Sequence, residues 1–120
     1  MINPGEENIE KRDMLFNISA TDVYSCRVRI YSANSGRLLQ TVGVPGRGGG
    51  QLCKPVDVCY DGRGHLVVLE EGRVQVFSKK GEFIRAQTLK NNLHAVSSIG
   101  EFLFISDSYS VTKFLWKLHN

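Results

Sequence analysis

The sequence predicts an all-β chain, an open arc of antiparallel four-stranded propeller blades that stops short of a closed ring. Three observations carry this. First, a phrase recurs: Arg27-Val28-Arg29-Ile30-Tyr31-Ser32 matches Arg73-Val74-Gln75-Val76-Phe77-Ser78 at an offset of 46 residues. Second, the apolar residues alternate with period two, as in strands, and no sustained helical period exceeds two turns. Third, the runs are five to seven residues long, rich in Val, Ile, Phe and Tyr, and punctuated by Gly, Asn, Asp and Ser. Periods in the forties with several short strands each are how a propeller is spelled in sequence.

Strands are labelled a to d from the centre of each blade outward. The first repeat predicts b over 14–19, c over 27–32 and d over 37–42. Val28 and Ile30 turn one way and Arg27 and Arg29 the other, so one face of c is apolar. Asn34-Ser35-Gly36 supplies the c–d turn. The second repeat predicts a over 55–60, b over 65–69, c over 73–78 and d over 82–88. Asp61-Gly62-Arg63-Gly64 joins its a and b strands, and Gly81 sits where a hairpin needs positive φ. The third predicts a over 93–98, b over 101–106 and c over 111–116. There Thr112, Phe114 and Trp116 share a face, with Lys113 opposite between Val111 and Leu115. The blades are bounded at 14–43, 44–89 and 90–120. Residues 1–13, with four acids and two bases, are expected to be a poorly ordered acidic segment.

From Gly43 to Arg85 the chain resembles an NHL repeat. A Gly-rich lead ends in Gly50-Gln51-Leu52, followed by Pro55-Val56-Asp57-Val58, then Asp61-Gly62-Arg63-Gly64, an apolar strand, Arg73-Val74-Gln75-Val76-Phe77 and Gly81-Glu82-Phe83. The flanking repeats match partially. The likeness departs at Asp57, where the family usually has Gly, and at Glu70-Glu71-Gly72, which shortens the family's loop between second and third strands. It implies a propeller of the NHL type carrying two to two and a half blades. It also implies a non-enzymatic scaffold that binds a protein partner, the part that recognises substrate in a tripartite-motif-like ubiquitin ligase. This chain has no zinc-spaced cysteines for the RING and B-box such ligases carry. RNA binding on the same face, and a fragment of a metal-dependent propeller lyase, are the alternatives the resemblance raises.

Composition narrows these readings. The 42% hydrophobic and 22% charged content is ordinary for a globular domain. No apolar run approaches the roughly 18 residues a membrane crossing requires, and the start lacks a signal-peptide core. The expectation is therefore a cytoplasmic protein with no membrane partner. Cys26, Cys53 and Cys59 have no CxxC spacing and read as reduced thiols. Asn17-Ile18-Ser19 fits a glycosylation sequon but lies in a predicted strand. Net charge is +3, and residues 1–13 hold −2, so the remainder is +5, short of a nucleic-acid footprint.

An arc of blades exposes sheet faces and edges that a closed ring hides. The chain is expected to be a fragment of a longer product or, failing that, to form a head-to-tail homodimer with six blades.

No catalytic constellation is visible, and no cofactor or metal is expected. Gly46-Arg47-Gly48-Gly49-Gly50 lacks the Gly-Lys-Ser/Thr of a phosphate loop and leads through Pro55 into a strand, so it reads as an inter-blade connector. Of His65, His94 and His119, His94 alone stands on an inner strand suited to a metal, without partner ligands at short spacing. Ser106-Asp107-Ser108 shows no nucleophile elbow. Arg27 and Arg73, at the starts of c strands, are expected to tie blades together.

The rim formed by d–a connectors and b–c turns remains. It holds Asp22, Tyr24, Arg47, Lys54, Glu70, Glu71, Asp107 and Tyr109. Four acids against two bases do not make the positive field that RNA requires. Tyr24 and Tyr109 as amphipathic anchors and Arg47 as a forked donor make the candidate partner-binding set.

Overall fold

The computed structural model describes residues 18–22, 26–90 and 92–116. Its strands are β1 (Ile18–Asp22), β2 (Arg27–Tyr31), β3 (Leu38–Val42), β4 (Val44–Pro45), β5 (Gln51–Leu52), β6 (Pro55–Tyr60), β7 (Leu66–Glu70), β8 (Arg73–Phe77), β9 (Phe83–Thr88), β10 (Leu93–Ile99), β11 (Phe102–Asp107) and β12 (Val111–Leu115). They form three meandering sheets in the orders β1-β2-β3, β6-β7-β8-β9 and β10-β11-β12. A parallel pair, β4-β5, lies in the connector between the first two. The recurring phrases at 27–32 and 73–78 stand in different sheets, as successive blades require. Inner strand β6 runs beside β10 of the next sheet and β1 of the previous one.

Two apolar layers sit between the sheets. Val28, Ile30 and Val42 of the first sheet meet Leu66, Val68 and Phe77 of the second, with Leu52 of the connector between them. Val67, Leu69, Val74 and Val76, on the second sheet's other face, meet Leu93, Val96, Leu103, Ile105 and Trp116 of the third. The alternation in the sequence implied one apolar face per blade. The central blade buries both, and every residue of β7 is buried. Gln75 is buried with them because its amide is fully engaged by the connector, as described below.

The repeat is written in the backbone as well. The second and third sheets each break register one residue into the inner strand, between Pro55 and Asp57 and between Leu93 and Ala95. Lys54 and Asn92, each immediately before that strand, take left-handed φ of 55° and 64°. Cys26 (φ 55°) and Gly72 (φ 81°) do the same before Arg27 and Arg73. At the first bulge the Asp57 carboxylate bridges blades. Oδ1 accepts from Val58 N at 2.9 Å and Oδ2 from Val96 N at 2.9 Å. Gly43 (φ 89°) has no room for a side chain, since a Cβ there would lie 2.5 Å from Leu52 Cδ1.

The first b strand, expected over 14–19, is described over Ile18–Asp22 and so runs past the expected end, while the part before residue 18 lies outside the described residues. Its backbone register places Asp22 opposite Arg27, as Glu70 stands opposite Arg73. The short β4-β5 pair is an addition that the sequence reading did not include. The acidic segment 1–13 also lies outside the described residues.

Candidate partner-binding rim

The first d–a connector is held by a single ionic node. Arg73 donates to the Glu70 carboxylate through Nε (3.2 Å to Oε1) and Nη2 (2.8 Å to Oε2). Its remaining donors reach three connector carbonyls: Nη1 to Arg47 O at 2.9 Å and Gly48 O at 3.2 Å, and Nη2 to Gln51 O at 2.9 Å. Gln75 Nε2 also donates to Glu70 Oε1 and, at 2.7 Å, to Gln51 O. Gly50 N donates to Gln75 Oε1 at 2.9 Å, and Cys53 N to Glu70 Oε2 at 3.1 Å. Glu70 is 1% exposed, yet it carries charge beside a guanidinium and accepts four hydrogen bonds, the condition for burying a carboxylate. The glycine-rich segment is thus a structural connector clasped from beneath, and Arg73 divides all its donors between it and Glu70.

The second connector ties into the same rim. Leu89 N donates to Gly72 O at 2.8 Å and Asn92 N to Glu71 Oε1 at 2.9 Å, linking it to the β7–β8 turn. Lys90 Nζ pairs with Asp107 Oδ2 at the start of the β11–β12 turn. Asp107 Oδ1 accepts from Tyr109 N and Ser110 N, both at 2.8 Å. The Lys90 bond, with the two turn amides behind it, holds the Asp107 carboxyl well below the usual carboxylate range. His94 Nε2 lies 2.9 Å from Ser108 Oγ. Lys90, Asn92, His94, Asp107, Ser108 and Tyr109 enclose an open cavity of about 400 Å³, with Tyr109 98% exposed at its lip.

Of the residues the sequence singled out, Tyr24 lies outside the described residues. Arg47 is exposed and borders a second cavity of about 270 Å³ with Cys53, Glu71 and Thr88. Tyr109 belongs to the first cavity, so the two are on one rim but on either side of the Glu71–Asn92 bridge. Lys90, His94 and Ser108 were missed as a set. They lie in a connector, a strand and a turn, and no local spacing joins them. The charge balance read from sequence needs correction: Glu70 is buried against Arg73, and Asp107 is paired with Lys90, so two of the four acids counted on the rim are neutralised within it. Among the described residues no three His, Cys, Asp or Glu gather as a metal set, and no helix is long and apolar enough to cross a membrane. None of the three cysteines is joined in a disulfide. Burial, then the charges of Asp57 and Asp61, push Cys59 up to about 12.

Successive antiparallel sheets stacked through apolar faces, inner strands side by side, define this chain as an arc of a β-propeller. Solved structures agree on the fold. A Bacteroides fragilis protein superposes with TM-score 0.64 at 13% identity, over 76% of this chain and 27% of its own. Glutaminyl cyclase of Myxococcus xanthus gives 0.60 at 15% identity, over 82% and 44%. The β-propeller domain of Cps50 (Swd1) from Myceliophteria thermophila gives 0.50 at 9% identity, over 82% and 38%. In sequence the chain is similar to Protein lin-41 of Caenorhabditis elegans, 46% identical over 46 residues, which is 37% of this chain and 4% of that protein. The chain thus spans less than half the length of each of these relatives. No protein-family model matches it.

Proposed function

We propose that this arc is of the NHL type and serves as a non-enzymatic scaffold that docks a protein through its d–a connectors and b–c turns. The observation that carries the reading is Tyr109. An aromatic side chain stands almost wholly in water at the lip of a cavity with mixed donors and acceptors, on a turn braced by four contacts to Asp107 and its neighbours. A rigid, amphipathic side chain held out this way is the type that anchors protein interfaces at low entropic cost. Arg47, exposed across the Glu71–Asn92 bridge, supplies a forked donor at the other end. The similarity to lin-41 and the repeat motifs support the NHL type. Substrate recognition for a tripartite-motif-like ubiquitin ligase, in the cytoplasm, is the finer form of this proposal and rests on that resemblance.

The test is site-specific photo-crosslinking in cells, with the crosslinking residue placed at position 109, at 47, or at 79 on the opposite rim. The expected result is one protein captured from 109 and 47 and absent from 79, its yield cut severalfold by Arg47→Glu in the 109-linked chain. Capture of RNA alone, lost as salt rises, would overturn protein docking in favour of the polynucleotide. Equal capture from both rims would remove the rim from consideration.

A further inference from the structure

The two connectors differ in length. Twelve residues (43–54) lead from β3 to β6, and four (89–92) lead from β9 to β10. The long one fills a place between blades. Leu52 is 0% exposed and lies in the buried layer between the first two sheets with Val68 and Phe77. The peptide groups on either side of it are fastened to the second blade. Gln51 O accepts from Gln75 Nε2 at 2.7 Å and from Arg73 Nη2 at 2.9 Å, and Cys53 N donates to Glu70 Oε2 at 3.1 Å. Gln51 and Leu52 are extended, paired as a strand with β4. One aliphatic side chain is thus seated between two blades, with a polar clasp on each side of it.

The shared bulge gives the equivalent places in the third blade. Pro55↔Glu70 corresponds to Leu93↔Asp107, so Val68↔Gln75 corresponds to Ile105↔Thr112 and Leu66↔Phe77 to Leu103↔Phe114. Val68, Gln75 and Phe77 surround the Gln51-Leu52 segment. Their counterparts Ile105, Thr112 and Phe114 instead line a cavity of about 310 Å³, with Leu93 and Asp107. The short connector contributes Leu89 and Lys90 to the wall. Leu89 is half-buried against the layer between the second and third sheets. After it the connector carries Lys90, Asn91 and Asn92, so it has no further apolar side chain to seat. The polar clasp persists in altered form. Lys90 brings a cation to Asp107 as Arg73 does to Glu70, and Thr112 puts a hydroxyl where Gln75 has its amide.

We propose that this cavity takes an extended peptide of a partner protein. One leucine-like side chain enters between the second and third blades, and the carbonyl before it accepts from Lys90 Nζ and Thr112 Oγ. The peptide takes the place that Gln51-Leu52 fills in the first interface. A mostly apolar hollow of this size with a few convergent polar groups has the makeup of a ligand pocket, and a side-chain pocket flanked by main-chain hydrogen bonds is how sheet proteins read extended peptides. Lys90 and Asp107 are the residues it shares with the cavity under Tyr109. The inference rests on the repeat, and it stands or falls apart from docking at the rim.

The probe is the acetylated, amidated pentapeptide Gly-Gly-Gln-Leu-Ser, titrated into the full chain and followed by methyl NMR. Saturable shifts are expected at the methyl groups of Leu93 and Ile105. The same peptide with glycine in place of leucine is expected to bind at least about tenfold more weakly, having no aliphatic side chain to bury. Lys90→Met, which deletes a donor to the carbonyl, is expected to weaken the leucine peptide severalfold, and Thr112→Trp, which fills the cavity, to abolish its binding. Absence of shifts at Ile105, or equal affinity for the leucine and glycine peptides, would overturn the proposal. Both of these results come from the unaltered chain, so they decide it even where a variant fails to fold.

Discussion

Replacing Arg73 with methionine isolates the ionic node, because methionine keeps the apolar stem and removes every donor. The change deletes two bonds to Glu70 and three to connector carbonyls. The carbonyls lie toward solvent and recover water. Glu70 does not: at 1% exposure it is left as a buried charge with only Gln75 Nε2 and Cys53 N for company. Breaking one side of such a pair costs about 3–5 kcal/mol, a large share of the roughly 5–15 kcal/mol that holds a domain together.

Removing both partners should cost less. In Glu70→Leu/Arg73→Met no buried charge remains, and the chief losses are the orphaned Cys53 N–H and the one Gln75 Nε2 proton that Glu70 accepted, each worth about 1–3 kcal/mol at most. Urea unfolding at constant m-value reads both numbers, and hydrogen exchange at Gly50 and Cys53 reports the connector separately. The reasoning fails if Arg73→Met costs under about 1 kcal/mol, or if the double variant is as unstable as the single.

Other outcomes follow from single contacts. Asp57→Ala orphans Val96 N and is expected to cost about 1–3 kcal/mol, with faster exchange at Val96 as the specific sign. Cys26→Gly and Lys54→Gly relieve left-handed backbone at φ 55° in each case. Each should be neutral or stabilising by up to about 1 kcal/mol by thermal melts, the relief being offset by the freedom glycine adds to the unfolded chain. Lys90→Met should raise the Asp107 carboxyl toward ordinary values, read by carboxyl NMR titration. Because folding depresses that group from 3.8, its contribution is present above the unfolded value and fades as pH falls through the folded one. Cys59 works in the opposite sense. Its folded value of about 12 against 9.0 means stability is full below pH 9 and declines between the two, and Cys59→Ala should flatten that alkaline limb in pH-dependent melts.

The ten blade strands and the sheet division were legible because period-two alternation and turn residues are local signals, and the repeat at 27–32 and 73–78 is near-identical in spacing; the two-residue strands β4 and β5 of the connector were not, being too short to alternate. The b strand of the first blade continues to Asp22, past its expected end at residue 19, because Ala20-Thr21-Asp22 has no apolar alternation to signal a strand and its pairing with β2 is not local. The rim was half legible. Tyr109 and Arg47 are the kinds of residue that signal exposure in loops, and both are exposed. The cavity beside Tyr109 depends on Lys90, His94 and Ser108 converging across 18 positions of chain, and nothing local encodes that. Charge counting failed at Glu70 for a related reason. An acid three residues before an arginine looks solvated until the turn between them folds the two together under the connector.

Rigid connectors give the rim its value as a docking surface. A loop of five residues with four glycines would ordinarily lose much entropy on binding. Here Arg73, Gln75 and the Gly46 N–H to Leu52 O bond (3.0 Å) fix it before any partner arrives. Arg47 is then presented from a backbone whose own carbonyl is already held. On the proposed docking reading, Arg73→Met therefore weakens partner capture from position 47 more than from position 109, although Arg73 offers no donor to a partner. The position-109 turn rests on Asp107 and Lys90 instead, so the two ends of the rim are braced independently and should fail independently.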